Sequence, residues 1–318
     1  MAFPKFLFTS LFILSLAAAY AQPRVIFDTD IGSDCDDAGA MAVLHKLADE
    51  KEITLLGVIY SSNANKYGAG VCDAINSYYG RGDLPIGQYQ GPITIGDPRD
   101  SYNSPIATDR KTYRHRKVDS APELVTQYKN LLKDQPDSSV VIVTVGHPVG
   151  LFYLVNDPEG KELIKSKVTR WVAMTHTSED PQNDWNFGKN GTAPYITGLL
   201  RVWPTDVYFS GEGKNIITGN KKLPLTPPNN PVRKAYELWG NNALKNGRSS
   251  WDQIAVLFAG KPNLFTATAG RLEQNRKLET WWTNGEQNAG HYKIIPKLNK
   301  DELEQIIEDL MSSPPARN

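Results

Sequence analysis

Apolar and polar positions switch period repeatedly along the chain, and the switches divide it into alternating strand-like and helix-like runs. Arg24 to Asp28 reads as a buried strand, followed by a helix over about 36–50. Ile53 to Tyr60 reads as a second strand, with a helix over about 66–79 behind it and a short strand near 85–88. The polar, Pro- and Gly-rich stretch 91–117 predicts a long surface loop. A helix spans about 121–132, and SVVIVTV, 139–145, is apolar without alternation, as a strand covered on both faces must be. Strands at 168–174 and 206–210 follow, separated by a polar loop and a helix near 193–202. The last third reads as mostly helical, clearest at 232–244 and 251–258, with a charged terminal helix over about 300–311. This alternation predicts an α/β fold: a mainly parallel open sheet flanked by helices and joined by right-handed crossovers. No linker interrupts 22–318, which are expected to form one domain.

The first residues stand apart. Lys5 precedes an apolar run from Phe6 to Ala19, and Ala19-Tyr20-Ala21 then offers a small-x-small cleavage site. That is the pattern of a secretory signal peptide over residues 1–21, so the protein is expected to be secreted or periplasmic. The run is shorter than the roughly 20 apolar residues that span a bilayer, and no later stretch could cross one. No membrane association is expected after cleavage.

Charge narrows the partners. Lys+Arg and Asp+Glu are 35 each and cancel, and the basic residues form no block, so there is no nucleic-acid footprint. Two cysteines make no disulfide framework; Cys35 and Cys72 are expected as buried thiols rather than a bridge.

The chemistry concentrates in VIFDTDIGSDCDDAGAMAVL, 25–44, where Asp28, Asp30, Asp34, Asp36 and Asp37 crowd one strand-to-helix turn. In an open parallel sheet, ligands collect at the carboxyl ends of strands, where this turn lies. A helix N-terminus favours one or two carboxylates. Five would raise one another's pKa until some were protonated. A hard divalent cation such as Ca²⁺ or Mg²⁺, which takes several carboxylate oxygens at once, resolves the crowding. The Asp-x-Asp after a buried strand is also similar to the nucleophile motif of haloacid-dehalogenase-type phosphatases. The Ile31-Gly32-Ser33 that follows departs from that pattern.

Asp-Thr-Asp-x-Gly followed by Asp-Asp and a small-residue helix resembles the inosine–uridine nucleoside hydrolase family. Four further segments resemble it in the family's order: VIYSSN (58–63), VIVTVGHPVGL (141–151), NDWNFG (183–188) with WPTDVYFSG (203–211), and SSWDQIAVLFA (249–259). The resemblance implies a nucleoside-hydrolase-like fold with a metal site at the C-terminal ends of the strands. It implies a Ca²⁺-dependent hydrolase that cleaves the N-glycosidic bond of a nucleoside or riboside, releasing ribose and free base. The implied Ca²⁺ ligands are Asp30, Asp37, the carbonyl of Val149, and Asp252. Asp30 would also be the general base that activates the attacking water. Asp36, Asn63, Asp184 and Asn186 would hold the sugar. Related hydrolases are often dimers or tetramers, which makes a homo-oligomer an expectation by analogy.

Three departures from the family pattern matter. The acidic turn is two residues longer than the common form, so Asp34 can trade places with Asp36 or Asp37. Asp184 stands where glutamate is usual. Trp251 stands where many members carry the histidine that protonates the departing base; it either stacks on a purine or is core at a helix start. His147 and His176, each near a strand end, are the candidate replacement acids among five histidines. Two alternatives therefore stay open: the same architecture acting on another riboside or glycoside, and a sugar-binding member without turnover.

Overall fold

The computed structural model describes residues 22–116, 121–285 and 290–316; the signal-peptide expectation for 1–21 lies outside them. Six strands form the parallel body expected from the apolar runs: β1 (Arg24–Thr29), β2 (Thr54–Tyr60), β3 (Ile86–Gln88), β4 (Val140–Thr144), β5 (Val168–Met174) and β6 (Asp206–Ser210). A two-stranded antiparallel pair, β7 (Ile217–Thr218) with β8 (Arg248–Ser249), stands apart from the main sheet. Three more strands, β9 (Phe265–Gln274), β10 (Thr280–Asn284) and β11 (His291–Pro296), complete a sheet of nine among the described residues, in the order β10-β9-β11-β6-β5-β4-β1-β2-β3.

β4 is buried along its whole length and β1 from Val25 onward, because helices cover both faces. Winding reverses between β1 and β4: β2 and β3 lie on one side of that pair, β5 and β6 on the other. At such a reversal the loops after neighbouring strands part and leave a crevice at the carboxyl ends. The acidic turn follows β1 and opens the helix Asp36–Asp49, so the reversal places it at that crevice.

Three expectations are corrected. The last third is not mostly helical, since β9, β10 and β11 pair antiparallel there. Their burial is one-sided and their outward positions carry Thr, Arg, Glu and Lys, so they lack the continuous apolar signal of the central strands. The helix expected over 232–244 is broken into Pro231–Leu238 and Ala243–Asn246 by Gly240, Asn241 and Asn242, all at positive φ. The stretch 91–117 is not simply a surface loop. It contains two short helices, Asn103–Thr108 and Arg110–Tyr113, and its Tyr102 and Asn103 are fully buried against the acidic turn.

Cys35 and Cys72 are buried free thiols, and burial pushes both well above the ordinary thiol range. Among the described residues no helix is long and apolar enough to cross a membrane.

Candidate active site

The acidic turn is shaped from outside itself. Gly32 sits at φ +118°, and a Cβ there would lie 2.1 Å from the Asn103 amide, so both conformation and space demand glycine. Asn103 donates Nδ2 to the Ile31 carbonyl at 3.0 Å, and the Tyr102 hydroxyl donates to the Asp34 carbonyl at 2.5 Å. The turn ends where Cys35 gives way to the helix, whose first residues are Asp36 and Asp37.

From the other end of the chain, Ser250 precedes the helix Trp251–Gly260 and places Asp252 in its first turn. The hydroxyls of Thr218 and Ser250 meet at 2.8 Å, tying that helix start to the β7–β8 pair. Asp36, Asp37 and Asp252, all buried, bring ligand oxygens within 4.8 Å of one another. Burial raises the pKa of all three well above the carboxylate range, and mutual repulsion adds to it: Asp34 on Asp36, Asp30 and Asp36 on Asp37, Asp36 and Asp37 on Asp252. Thr29 donates its hydroxyl to Asp37. Clustered carboxylates with no cationic side chain among them suit an ion that takes oxygen ligands.

The remaining acidic residues are held differently. Asp34 is bound by Arg248 of β8, whose Nε lies 3.0 and 2.9 Å from its two oxygens and whose Nη2 also donates to it. It is therefore committed to an ion pair and does not trade places with Asp36 or Asp37. Asp30 accepts from Ser33 Oγ at 2.9 Å, from Trp185 Nε1 at 3.3 Å, and faces His147 Nε2 at 3.3 Å. Burial opposes ionisation of Asp30, but the His147 ring and these donors outweigh it and hold the carboxyl below its ordinary value. For His147 the same balance runs the other way: burial disfavours the charged ring, and Asp30 more than compensates, raising its pKa.

A cavity of about 400 Å³ lies over this floor. Asp30, Asp36, Asp37 and Asp252 line its acidic side, and Trp185, Trp239 and Trp251 supply aromatic walls. Arg248 is also in the lining, with its guanidinium 4.9 Å from the Trp239 ring. Asp184, Asn186 and His176 complete the expected residues that reach the cavity.

Asp184 caps the short helix Trp185–Gly188 by accepting from the Phe187 amide at 2.5 Å, and its second oxygen takes the His176 amide at 3.4 Å. Asn186 donates Nδ2 to the carbonyls of Val145 at 2.7 Å and Met174 at 3.3 Å, joining the ends of β4 and β5. Its Oδ1 is buried and has no hydrogen-bond partner among the described residues, so it is an acceptor left unpaired at the cavity floor.

Three expected residues are not brought into the lining. Val149 is the first residue of the helix Val149–Asn156, fully buried, with its carbonyl entering the helical ladder; Val145 lines the cavity instead. Asn63 staples the 91–95 segment to the end of β2, donating to Ile93 O at 3.0 Å and accepting from Ile95 N at 2.8 Å. His147 is fully buried behind Asp30.

His176 does reach the cavity, but both its ring nitrogens are occupied, Nδ1 by the Ser178 amide at 3.3 Å and Nε2 by Thr280 Oγ1 at 2.8 Å. Burial lowers its pKa, and both ring nitrogens are engaged within the protein.

Sequence reasoning missed Arg99, Trp185, Trp239 and Arg248. Trp185 and Arg248 adjoin segments that carried signal, at 183–188 and 249–259. Arg99 lies in an irregular stretch where no periodicity marks a side chain as inward, and Trp239 falls within the span of the helix expected over 232–244, which in fact ends at Leu238.

No family model and no curated protein matches the chain. Solved structures do. An inosine–uridine preferring nucleoside hydrolase from Bacillus anthracis superposes with a TM-score of 0.68 at 12% identity, over 91% of this chain and 99% of that one. An inosine–guanosine nucleoside hydrolase gives 0.68 at 14% identity, over 91% and 98%. The type III effector protein XopQ, solved with adenosine diphosphate ribose, gives 0.63 at 11% identity, over 92% and 94%. At these identities the likeness is one of fold, and this chain has the fold those proteins share.

Proposed function

We propose that this protein is an N-glycosyl hydrolase that cleaves ribonucleosides to ribose and free base, with Ca²⁺ held by Asp36, Asp37 and Asp252. The observation that carries the reading is that three buried carboxylates, two from one helix start and one from a helix start far downstream, meet beneath a tryptophan-walled cavity at the reversal of the sheet. The donor set fits the ion, since all three groups offer oxygen and their shared repulsion is relieved by a divalent charge. A bound cation supplies Lewis acidity toward hydroxyl and water oxygens.

The protein's own side chains divide the remaining work. Asp30, kept ionised by His147, is the general base for the attacking water. Breaking an N-glycosidic bond builds positive charge on the sugar, and the fixed carboxylates beneath it stabilise that charge without reorganising. Asn186 Oδ1 accepts from a sugar hydroxyl. Trp251 and its neighbours offer flat faces for a heteroaromatic base and exclude water from it. Ribose is common to the nucleosides and to the adenosine diphosphate ribose bound by XopQ, which supports a riboside ligand. Export to a periplasmic or extracellular space is proposed from the leader pattern in 1–21 alone.

Incubation of the purified protein with a nucleoside panel and millimolar calcium, followed by reducing-sugar assay, tests this. Release absent in Asp30→Ala is expected; no release above that control counts against the reading. The engaged state of His176 and the enclosure of His147 favour one second reading, a riboside whose leaving group needs little protonation. Turnover of nitrophenyl riboside without turnover of inosine or uridine selects it, and ribose binding in calorimetry without any product selects a sugar-binding protein.

A further inference from the structure

β10 terminates the sheet on one side, yet its outer edge is occupied. Thr280 N donates to Gln182 O and Gln182 N to Thr280 O, both at 2.9 Å, while Trp282 N donates to Ser178 O at 2.7 Å. The 178–182 segment is thus laid on the edge like a short extra strand, satisfying amides that an open edge leaves bare. Gln182 lines the cavity, as do His176 and Asp184 on either side of the segment.

The Thr280 side chain extends this connection. Thr280 is fully buried, and its hydroxyl meets His176 Nε2 at 2.8 Å. Because the Ser178 amide donates to Nδ1 at 3.3 Å, the ring proton belongs on Nε2, and Thr280 accepts it.

We propose that Thr280 is a positioning residue for ligand selection: its hydroxyl and two main-chain bonds fix the cavity wall that carries His176 and Gln182. This rests on the reading of the cavity as a riboside site. With both nitrogens bonded inside the protein, His176 presents the ligand with the carbon edge of a neutral imidazole. Hydrogen-bonding groups on this wall are the Gln182 amide and, beyond it, the Asp184 carboxylate. Such a wall suits a flat heteroaromatic leaving group with one apolar and one polar edge. A site built to pair a polar edge rejects analogues that lack it.

The test compares Thr280→Val, which keeps the shape and β-propensity of the residue, with Thr280→Ser, which keeps the hydroxyl. Ring ¹⁵N spectra, with the His176 signals assigned through His176→Gln, are expected to show the Nε2–H form in both proteins, held by the Ser178 amide, with faster exchange of the Nε2 proton in Thr280→Val. Hydrogen exchange at the Gln182 amide speeds up in that variant. Losing one hydrogen bond of about 1 kcal/mol raises KM for inosine about fivefold, with kcat within about twofold of the wild type. Thr280→Ser restores all three readouts. A merely structural role would lower thermal stability and leave the exchange of the Nε2 proton untouched. An unchanged Nε2 proton exchange and KM in Thr280→Val, or a serine variant as defective as the valine, overturns the proposal. A wild type that cleaves no inosine defeats the hydrolase reading for that substrate, while the Nε2 proton exchange and the Gln182 exchange still decide the role of Thr280.

Discussion

Arg248 grips Asp34 with Nε at 3.0 and 2.9 Å from its two oxygens while its guanidinium lies 4.9 Å from the Trp239 ring. The pair joins the acidic turn to β8, which leads directly into Trp251 and Asp252. It also neutralises Asp34, a carboxylate of the turn that stands outside the cluster of Asp36, Asp37 and Asp252. Repulsion on Asp36 would otherwise be greater, since Asp34 raises its pKa and Arg248 lowers it.

Replacing Arg248 with methionine keeps much of the contact with Trp239 and removes the charge. The variant is expected to lose about 1–2 kcal/mol in a divalent-free buffer, the scale for a half-buried bidentate pair. Millimolar calcium should recover part of the loss, because a cation offsets the same repulsion. Urea unfolding with chelator and with calcium measures both quantities. Equal losses under the two conditions would argue against an electrostatic link.

Asp252→Asn separates the cluster's cost from its use. Without cation, removing one of three mutually repelling buried carboxyls should leave stability unchanged or raise it by about 1 kcal/mol. With calcium, the wild type should melt higher by mass action, and the variant should lose most of that increment. Thermal melts of both proteins across a calcium series check this. A calcium-induced rise of the same size in Asp252→Asn would remove Asp252 from the ligand set.

Gly32→Ala meets two obstacles at once, a φ of +118° and the Asn103 amide 2.1 Å from the new Cβ. We expect a loss of about 2 kcal/mol or more. Asn103→Ala in the same chain should return only part of it, since the backbone strain remains and the bond to Ile31 O is gone. A double-mutant cycle by chemical denaturation reads the coupling. Full rescue would show that crowding alone makes glycine necessary.

His45 is fully buried on the first helix, its Nε2 3.0 Å from Asn76 Oδ1 and its ring stacked 4.8 Å from that of Tyr79. Burial drives its pKa down from 6.5 to about 3, with the Arg81 charge adding to the effect. The unfolded chain binds a proton here below about pH 6.5 and the folded chain does not. Stability from the neutral ring is therefore complete above that pH. It is lost at about 1.4 kcal/mol per unit as pH falls toward about 3. His45→Gln should show a shallower decline than the wild type between about pH 6.5 and about pH 5. Parallel declines would mean that the ring takes up its proton without unfolding.

How far the fold was legible follows from where each signal resides. β1 and β4, and the later halves of β2, β5 and β6, announce themselves because a strand covered on both faces is apolar at consecutive positions. β9, β10 and β11 do not, because one face is wet and their inward residues are separated by Thr, Arg and Lys. The same distinction governs the site. Charge crowding at 28–37 is a local property, visible to anyone who counts aspartates along a turn.

By itself, then, the sequence determined that strands and helices alternate, that the acidic turn follows the first strand, and that its carboxylates crowd one another. Which carboxylates meet was decided only in three dimensions. Arg248 claims Asp34 and His147 sits behind Asp30, leaving Asp36 and Asp37 to meet Asp252. The physical reason is range. Burial and backbone preference act on each residue and its chain neighbours, so they leave a periodic trace. An ion pair or an occupied sheet edge depends on residues far apart along the chain, 214 positions for Arg248 and Asp34, and leaves no such trace.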